Sequence, residues 1–95
     1  MSTCYRLTNL FTKKQLLAAA REVGVEEEKT PNTTKELFCI TDGTSYLWCY
    51  MCNGKVVEFI RYGSNYDAHE MLEKIADQLQ TEMLSEYDED FIEDD

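Results

Sequence analysis

Residues 37–62 read LFCITDGTSYLWCYMCNGKVVEFIRY, and the fold follows from how this stretch divides. Three blocks rich in β-branched and aromatic residues, Leu37 to Thr41, Tyr46 to Cys52 and Lys55 to Tyr62, are separated by Asp42-Gly43 and Asn53-Gly54. Asn-Gly between such blocks is the signal of a two-residue type I′ turn, because both central residues must adopt positive φ. The stretch therefore reads as an antiparallel meander. A two-residue turn also sets register, since residues equidistant from it pair. Counting outward places Tyr46 opposite Arg61, Trp48 opposite Phe59 and Tyr50 opposite Val57 on one aromatic face. Leu47 opposite Ile60 and Met51 opposite Val56 form the other face, with Phe38 and Ile40 beside them. This second face is aliphatic and suits helix packing.

Two helices flank the meander. Thr12 followed three residues later by Gln15 is a capping box, and Phe11 with Leu16 has the spacing of a hydrophobic staple. Leu16, Leu17, Ala20 and Val23 form one apolar stripe, and Gly24 ends the helix in a left-handed cap. The second helix begins near Asp67, with Glu70 completing a capping pair. Ala68, Met71, Leu72, Ile75, Ala76 and Leu79 supply its stripe. Residues 3–8 read as a short additional strand, and Glu26 to Thr34, which holds the only Pro, reads as an exposed loop. Beyond Gln80 two readings stay open: Met83 and Tyr87 continue the helical period from Leu79, while Thr81 to Tyr87 also suits a short edge strand.

Charge is unevenly spread. Residues 1–50 carry six acids and six bases, whereas residues 51–95 carry thirteen acids and three bases, so the net charge of −10 lies in the second half. Such a field repels nucleic acid and anionic membranes and attracts basic protein surfaces. At 43% hydrophobic and 12% aromatic, the chain is too apolar to be disordered throughout. The N-terminal residues MSTCYRLTNL contain no uninterrupted apolar run, so neither a signal peptide nor a membrane span is expected. The expected compartment is the cytoplasm, where Cys4, Cys39, Cys49 and Cys52 are thiols.

Catalytic and metal signals are weak. Cys49 and Cys52, three apart before a tight turn, resemble one knuckle of a zinc ribbon, but no second pair is present and the strand register puts the two on opposite faces. No metal ligand set and no cofactor is expected, with a zinc-ribbon-like module kept as an alternative. His69, the sole histidine, lies among Asp67, Glu70 and Glu73 and reads as a solvated partner of carboxylates rather than a general base. No serine–histidine–acid set, HExxH motif or phosphate-binding glycine loop is present, so the chain reads as non-enzymatic.

Two surfaces remain as candidates for function. The aromatic face (Tyr46, Trp48, Tyr50, Phe59) has three readings: covered by the first strand or the tail, a dimer interface, or the apolar centre of a partner site. RNA stacking on such a sheet is disfavoured by the sign of the charge. The second surface is acidic. Glu70, Glu73 and Asp77 recur along the outer side of the second helix, relieved only by Lys74. Residues 82–95, EMLSEYDEDFIEDD, hold eight carboxylates interleaved with Met83, Leu84, Tyr87, Phe91 and Ile92. Helical carboxylates three and four apart stand about 5–6 Å from one another, a spacing on the scale of successive phosphates.

An acidic domain ordered helix, three-stranded meander, helix, with an EYDEDF-type ending, resembles the phage-encoded inhibitors of CRISPR nucleases and related DNA-mimic proteins. The likeness is one of plan and composition over residues 12–95. It implies a stoichiometric inhibitor occupying a DNA- or PAM-binding groove of a host defence complex. Glu70, Glu73, Asp77, Glu82, Glu86, Asp88, Glu89 and Asp90 would carry the contact, with Tyr87 and Phe91 as apolar anchors.

The expectations are therefore a single α+β domain over 1–95, ending in an acidic segment, 82–95. It has a three- to four-stranded antiparallel sheet with two helices on one face. Its function is binding to a basic protein surface without direct nucleic-acid or membrane contact, as monomer or homodimer. The alternative is a small structural or regulatory adaptor using the aromatic face.

Overall fold

A computed structural model describes residues 2–62 and 67–85. Their elements run β1 (Ser2–Leu7), α1 (Lys13–Glu22), β2 (Glu26–Glu28), β3 (Leu37–Thr41), β4 (Tyr46–Cys52), β5 (Lys55–Tyr62), α2 (Asp67–Gln78) and β6 (Met83–Ser85). The fold is α+β. The meander β3-β4-β5 has the boundaries its residues predict, with Asn53 at φ 52° and Gly54 at φ 78° in the turn. The sheet is larger than the three to four strands expected: six antiparallel strands in the order β2-β3-β4-β5-β1-β6.

The three strands beyond the meander have separate causes, and the first of them is the strand that residues 3–8 predict. β1 inserts beside β5, pairing Thr3 with Arg61 and Tyr5 with Phe59, so it extends the sheet and does not cover the aromatic face. β2 comes from the stretch read as a loop: Glu26, Glu27 and Glu28 pair with Thr41, Ile40 and Cys39. Three glutamates have low strand propensity, but at an edge their charge prevents further pairing by another chain. β6 is the edge-strand reading of the chain after Gln80. Gln80 takes φ 55°, and Thr81 N donates to Ala76 O (3.0 Å) while Gln80 N donates to Asp77 O (3.1 Å). That pair of bonds is a Schellman ending, which stops α2 without a glycine.

Register departs from the turn count. Cys52 pairs with Lys55 and Met51 with Val56, but a β-bulge follows, and Tyr50 pairs with Glu58, Cys49 with Phe59 and Trp48 with Ile60. The physical reason is Glu58. Without the bulge its carboxylate would enter the core opposite Cys49, at a cost of several kcal/mol if unpaired, and Phe59 would face outward. With Val57 as the extra residue, Glu58 turns outward and Phe59 is buried to 1% exposure, a gain of about 2–3 kcal/mol. Phe59 thus leaves the aromatic face and Ile60 joins it.

Both helices pack on the face formed by Tyr5, Leu7, Phe38, Ile40, Leu47, Cys49, Val56 and Phe59. α1 is set by its capping box: Gln15 N donates to Thr12 Oγ1 at 3.1 Å and Thr12 N to Gln15 Oε1 at 3.0 Å. It ends as its glycine predicts, with Gly24 at φ 82° and Val25 N donating to Ala20 O at 2.8 Å. Leu16, Leu17, Ala19 and Ala20 are buried from α1, and Ala68, Met71, Leu72, Ile75 and Ala76 from α2. Lys13 reaches from α1 to Glu27 (3.0 Å) and lies 4.7 Å from the centre of the Phe38 ring, tying the helix to β2 and β3. Among the described residues, no helix is long and apolar enough to cross a membrane.

Candidate interaction surface

The acidic flank is built by α2 and the turn that follows it. Burial of the stripe from Ala68 to Ala76 forces Asp67, Glu70, Glu73 and Asp77 outward, and all four are exposed. The Schellman turn at Gln80 then swings the chain back along the helix, so that Glu82 joins Glu73 and Asp77 around one concavity of about 300 Å³. Glu70 lies around the helix from these three, beside Asp67, Asp42 and Lys74 in a second, smaller depression. Lys74 is the only Lys or Arg between residues 67 and 85. Of the residues expected to bind a partner, Glu70, Glu73, Asp77 and Glu82 are therefore on the same helix-covered side of the sheet. Glu86, Tyr87, Asp88, Glu89, Asp90 and Phe91 lie outside the described residues.

His69 differs from its expected role. Its Nε2 is 2.8 Å from Glu73 Oε1, one turn on, and its Nδ1 is 3.2 Å from Tyr5 Oη. The tautomer with its proton on Nε2 satisfies both contacts, donating to the carboxylate and accepting from the phenol. With 18% of its side chain exposed and its ring edge-on to Tyr5 at 5.4 Å, His69 is mostly buried, a rivet between α2 and β1.

The cysteines are dispersed. Cys49 is buried on the covered face and Cys52 is exposed at the hairpin end, as strand alternation requires. Burial pushes the Cys49 thiol well above its ordinary value. Cys39 is raised for the same first reason. Among the described residues, no group of three or more His, Cys, Asp or Glu side chains is placed to hold a metal ion.

Sequence reasoning missed a second acidic site. Glu26, Glu27, Glu28 and Asp42 surround a depression of about 340 Å³ together with Arg21. The run of three glutamates was its signal, masked by its reading as a loop. Asp42 is held below its ordinary carboxyl value by the backbone amides of Ser45 (2.8 Å) and Thr44 (3.0 Å), which donate to Oδ1 and close the β3-β4 turn.

The far face of the sheet is the other notable surface. Both helices lie on the opposite side, and Tyr46, Tyr50 and Tyr62 are 52%, 43% and 62% exposed. Pairing arranges this face in rows across the strands. One row runs Glu28, Cys39, Trp48, Ile60, Cys4, and another runs Leu37, Tyr50, Glu58. Arg6 continues the latter row, 3.7 Å from Glu58. Compared with protein-family models, curated proteins and solved structures, the chain has no match.

Proposed function

We propose that this chain is a non-enzymatic, acidic protein-binding inhibitor that occupies a basic nucleic-acid-binding surface of its partner, in the manner of anti-CRISPR-like DNA mimics inside a host cell. The observation that supports this reading most is the flank of α2. Glu73, Asp77 and Glu82, from a helix and the turn beyond it, share one concavity, with Glu70 further round the same helix. Carboxylates one helical turn apart present charge at about 5–6 Å intervals on a rigid element. A groove shaped for phosphates, lined with Arg and Lys, accepts such an array without rearrangement.

The test is competition on a CRISPR effector complex. The chain should displace target DNA from it, with an affinity that falls steeply as salt rises, because exposed charges are screened beyond roughly 8 Å at physiological ionic strength. Changing Glu70, Glu73, Asp77 and Glu82 together to Gln and Asn should weaken displacement at least tenfold while circular dichroism stays native. An effector that holds DNA and this chain at once, with neither affinity altered, would overturn the proposal.

A further inference from the structure

The acidic flank is tied to the core of the fold through one of its members. Among the described residues, Glu73 is the flank carboxylate that another side chain holds: His69 Nε2, one turn earlier on α2, lies 2.8 Å from Glu73 Oε1. The chain of contacts continues inward. His69 Nδ1 is 3.2 Å from Tyr5 Oη on β1, and Tyr5 is 1% exposed. The Tyr5 ring is itself fixed, with the imidazole 5.4 Å away on one side and the Arg61 guanidinium 5.9 Å from its centre. A phenol anchored in the core therefore sets the imidazole, and the imidazole sets the carboxylate.

The direction of these bonds follows from their chemistry. The phenol hydroxyl donates to Nδ1, which leaves the proton of the neutral ring on Nε2, where it is donated to Glu73. That tautomer carries no charge, so Glu73 keeps its own. The bond occupies one of roughly four acceptor positions on the carboxylate and leaves the others to a partner. Glu73 is 54% exposed, and without this bond its side chain would turn among several rotamers. A partner that binds a mobile glutamate must order it, at a loss of about threefold to tenfold in affinity. A glutamate ordered beforehand avoids that loss. The other wall of the same concavity is also fixed from β1. Thr8, directly after that strand, donates its amide to Glu82 O at 3.0 Å and accepts the Glu82 amide on Oγ1 at 3.2 Å.

We propose that Tyr5 and His69 are positioning residues of the acidic flank, holding the Glu73 carboxylate in one orientation so that a basic partner meets it already ordered. The benefit to binding rests on the inhibitor role proposed above, whereas the ordering itself belongs to the free chain.

Two measurements test this. On the free chain, three-bond NMR couplings along the Glu73 side chain should report one rotamer in wild type and averaging in His69→Leu and Tyr5→Phe. Nitrogen-15 shifts of His69 should show the Nε2–H tautomer. On the effector complex, both variants should displace DNA about threefold to tenfold less well, with the loss in dissociation rate. Neither substitution removes a carboxylate, so the association rate and its salt dependence should stay as in wild type. Glu73→Gln should lower both. His69→Gln, whose amide can donate to Glu73 and accept from Tyr5, should restore the wild-type dissociation rate. A side chain with a purely structural role would change thermal stability without this split between rates. Averaged Glu73 couplings in wild type would overturn the proposal, as would a folded His69→Leu variant that dissociates at the wild-type rate. If His69→Leu does not fold, Tyr5→Phe, which keeps the ring, decides by the same criteria. A wild-type chain that displaces no DNA sinks the inhibitor reading alone, and the couplings still decide whether Tyr5 and His69 order Glu73.

Discussion

The two faces of the sheet are made by alternate residues of the same strands, yet they differ in what surrounds them. On β4, Leu47 and Cys49 are fully buried beneath the helices, whereas Tyr46 and Tyr50 on either side of them keep about half their area in contact with solvent. On β5 the alternation is broken by the bulge, which exchanges Phe59 for Ile60 on the covered side and turns Glu58 outward. One face therefore holds the fold together and the other presents it. A strand that must serve both needs a parity fixed by its least tolerable residue. In β5 that residue is the charged Glu58, not the largest apolar one.

Mutation should separate the faces by stability. Phe59→Ala removes a side chain packed opposite Cys49 and Tyr5 and should cost about 3–5 kcal/mol in urea unfolding. Tyr50→Ala, on the open face, should cost less than about 1 kcal/mol. If the two losses are equal, Tyr50 is covered in the folded protein and the contrast between the faces fails.

Cysteine reactivity sharpens the same comparison. Cys52 is exposed, Cys39 lies on the open face beneath its row, and Cys49 lies on the covered face. With a thiol-specific reagent Cys52 should react at once, Cys39 later, and Cys49 only at the rate of global unfolding. Desolvation raises both buried thiols above their ordinary value of 9.0. Below that pH neither state loses a proton and stability is unaffected. Above it the unfolded chain ionises while the native chain keeps its protons, so stability falls until the raised native values are passed. Cys49→Ala should flatten this alkaline decline. If Cys39 and Cys49 are modified together, the open face is not the more accessible one.

Much of this was legible in the residues, and the errors share a cause. The meander, both helices, the capping box, the Gly24 ending and the opposition of Cys49 to Cys52 all follow from local chemistry: turn residues, caps and alternation. The register past Met51 did not follow from the turn alone. Its clue was present in Glu58, which the turn count placed in the core. β2 was hidden because three glutamates argue against a strand until an edge is available for them. Residues 3–8 read as a strand and Thr81 to Tyr87 suit an edge strand, but where β1 and β6 join the sheet depends on partners more than fifty residues away in sequence, which no local pattern reports. For the candidate site, the outward placement of Glu70, Glu73 and Asp77 follows from helical period. Their association with Glu82 required the turn at Gln80, which sequence left undecided.

That turn provides the smallest and most local test. Gln80 holds φ 55°, a left-handed conformation that a side chain disfavours by roughly 1 kcal/mol relative to glycine. Gln80→Gly relieves this strain but also loosens the unfolded chain, so the net gain should be about 0.5 kcal/mol or less, read as a small rise in the urea midpoint without change in slope. Gln80→Val should have the opposite sign and a larger size, because a β-branched side chain fits that conformation poorly. The turn sends the chain from the helix layer, on the covered side, to the sheet edge, so its strain bears on whether Met83–Ser85 stays paired with β1. Hydrogen exchange at the amides of the β1-β6 ladder should therefore slow in the glycine variant and quicken in the valine variant. Unchanged exchange in both would mean that β6 is held by its side-chain packing on the sheet and not by the turn that delivers it.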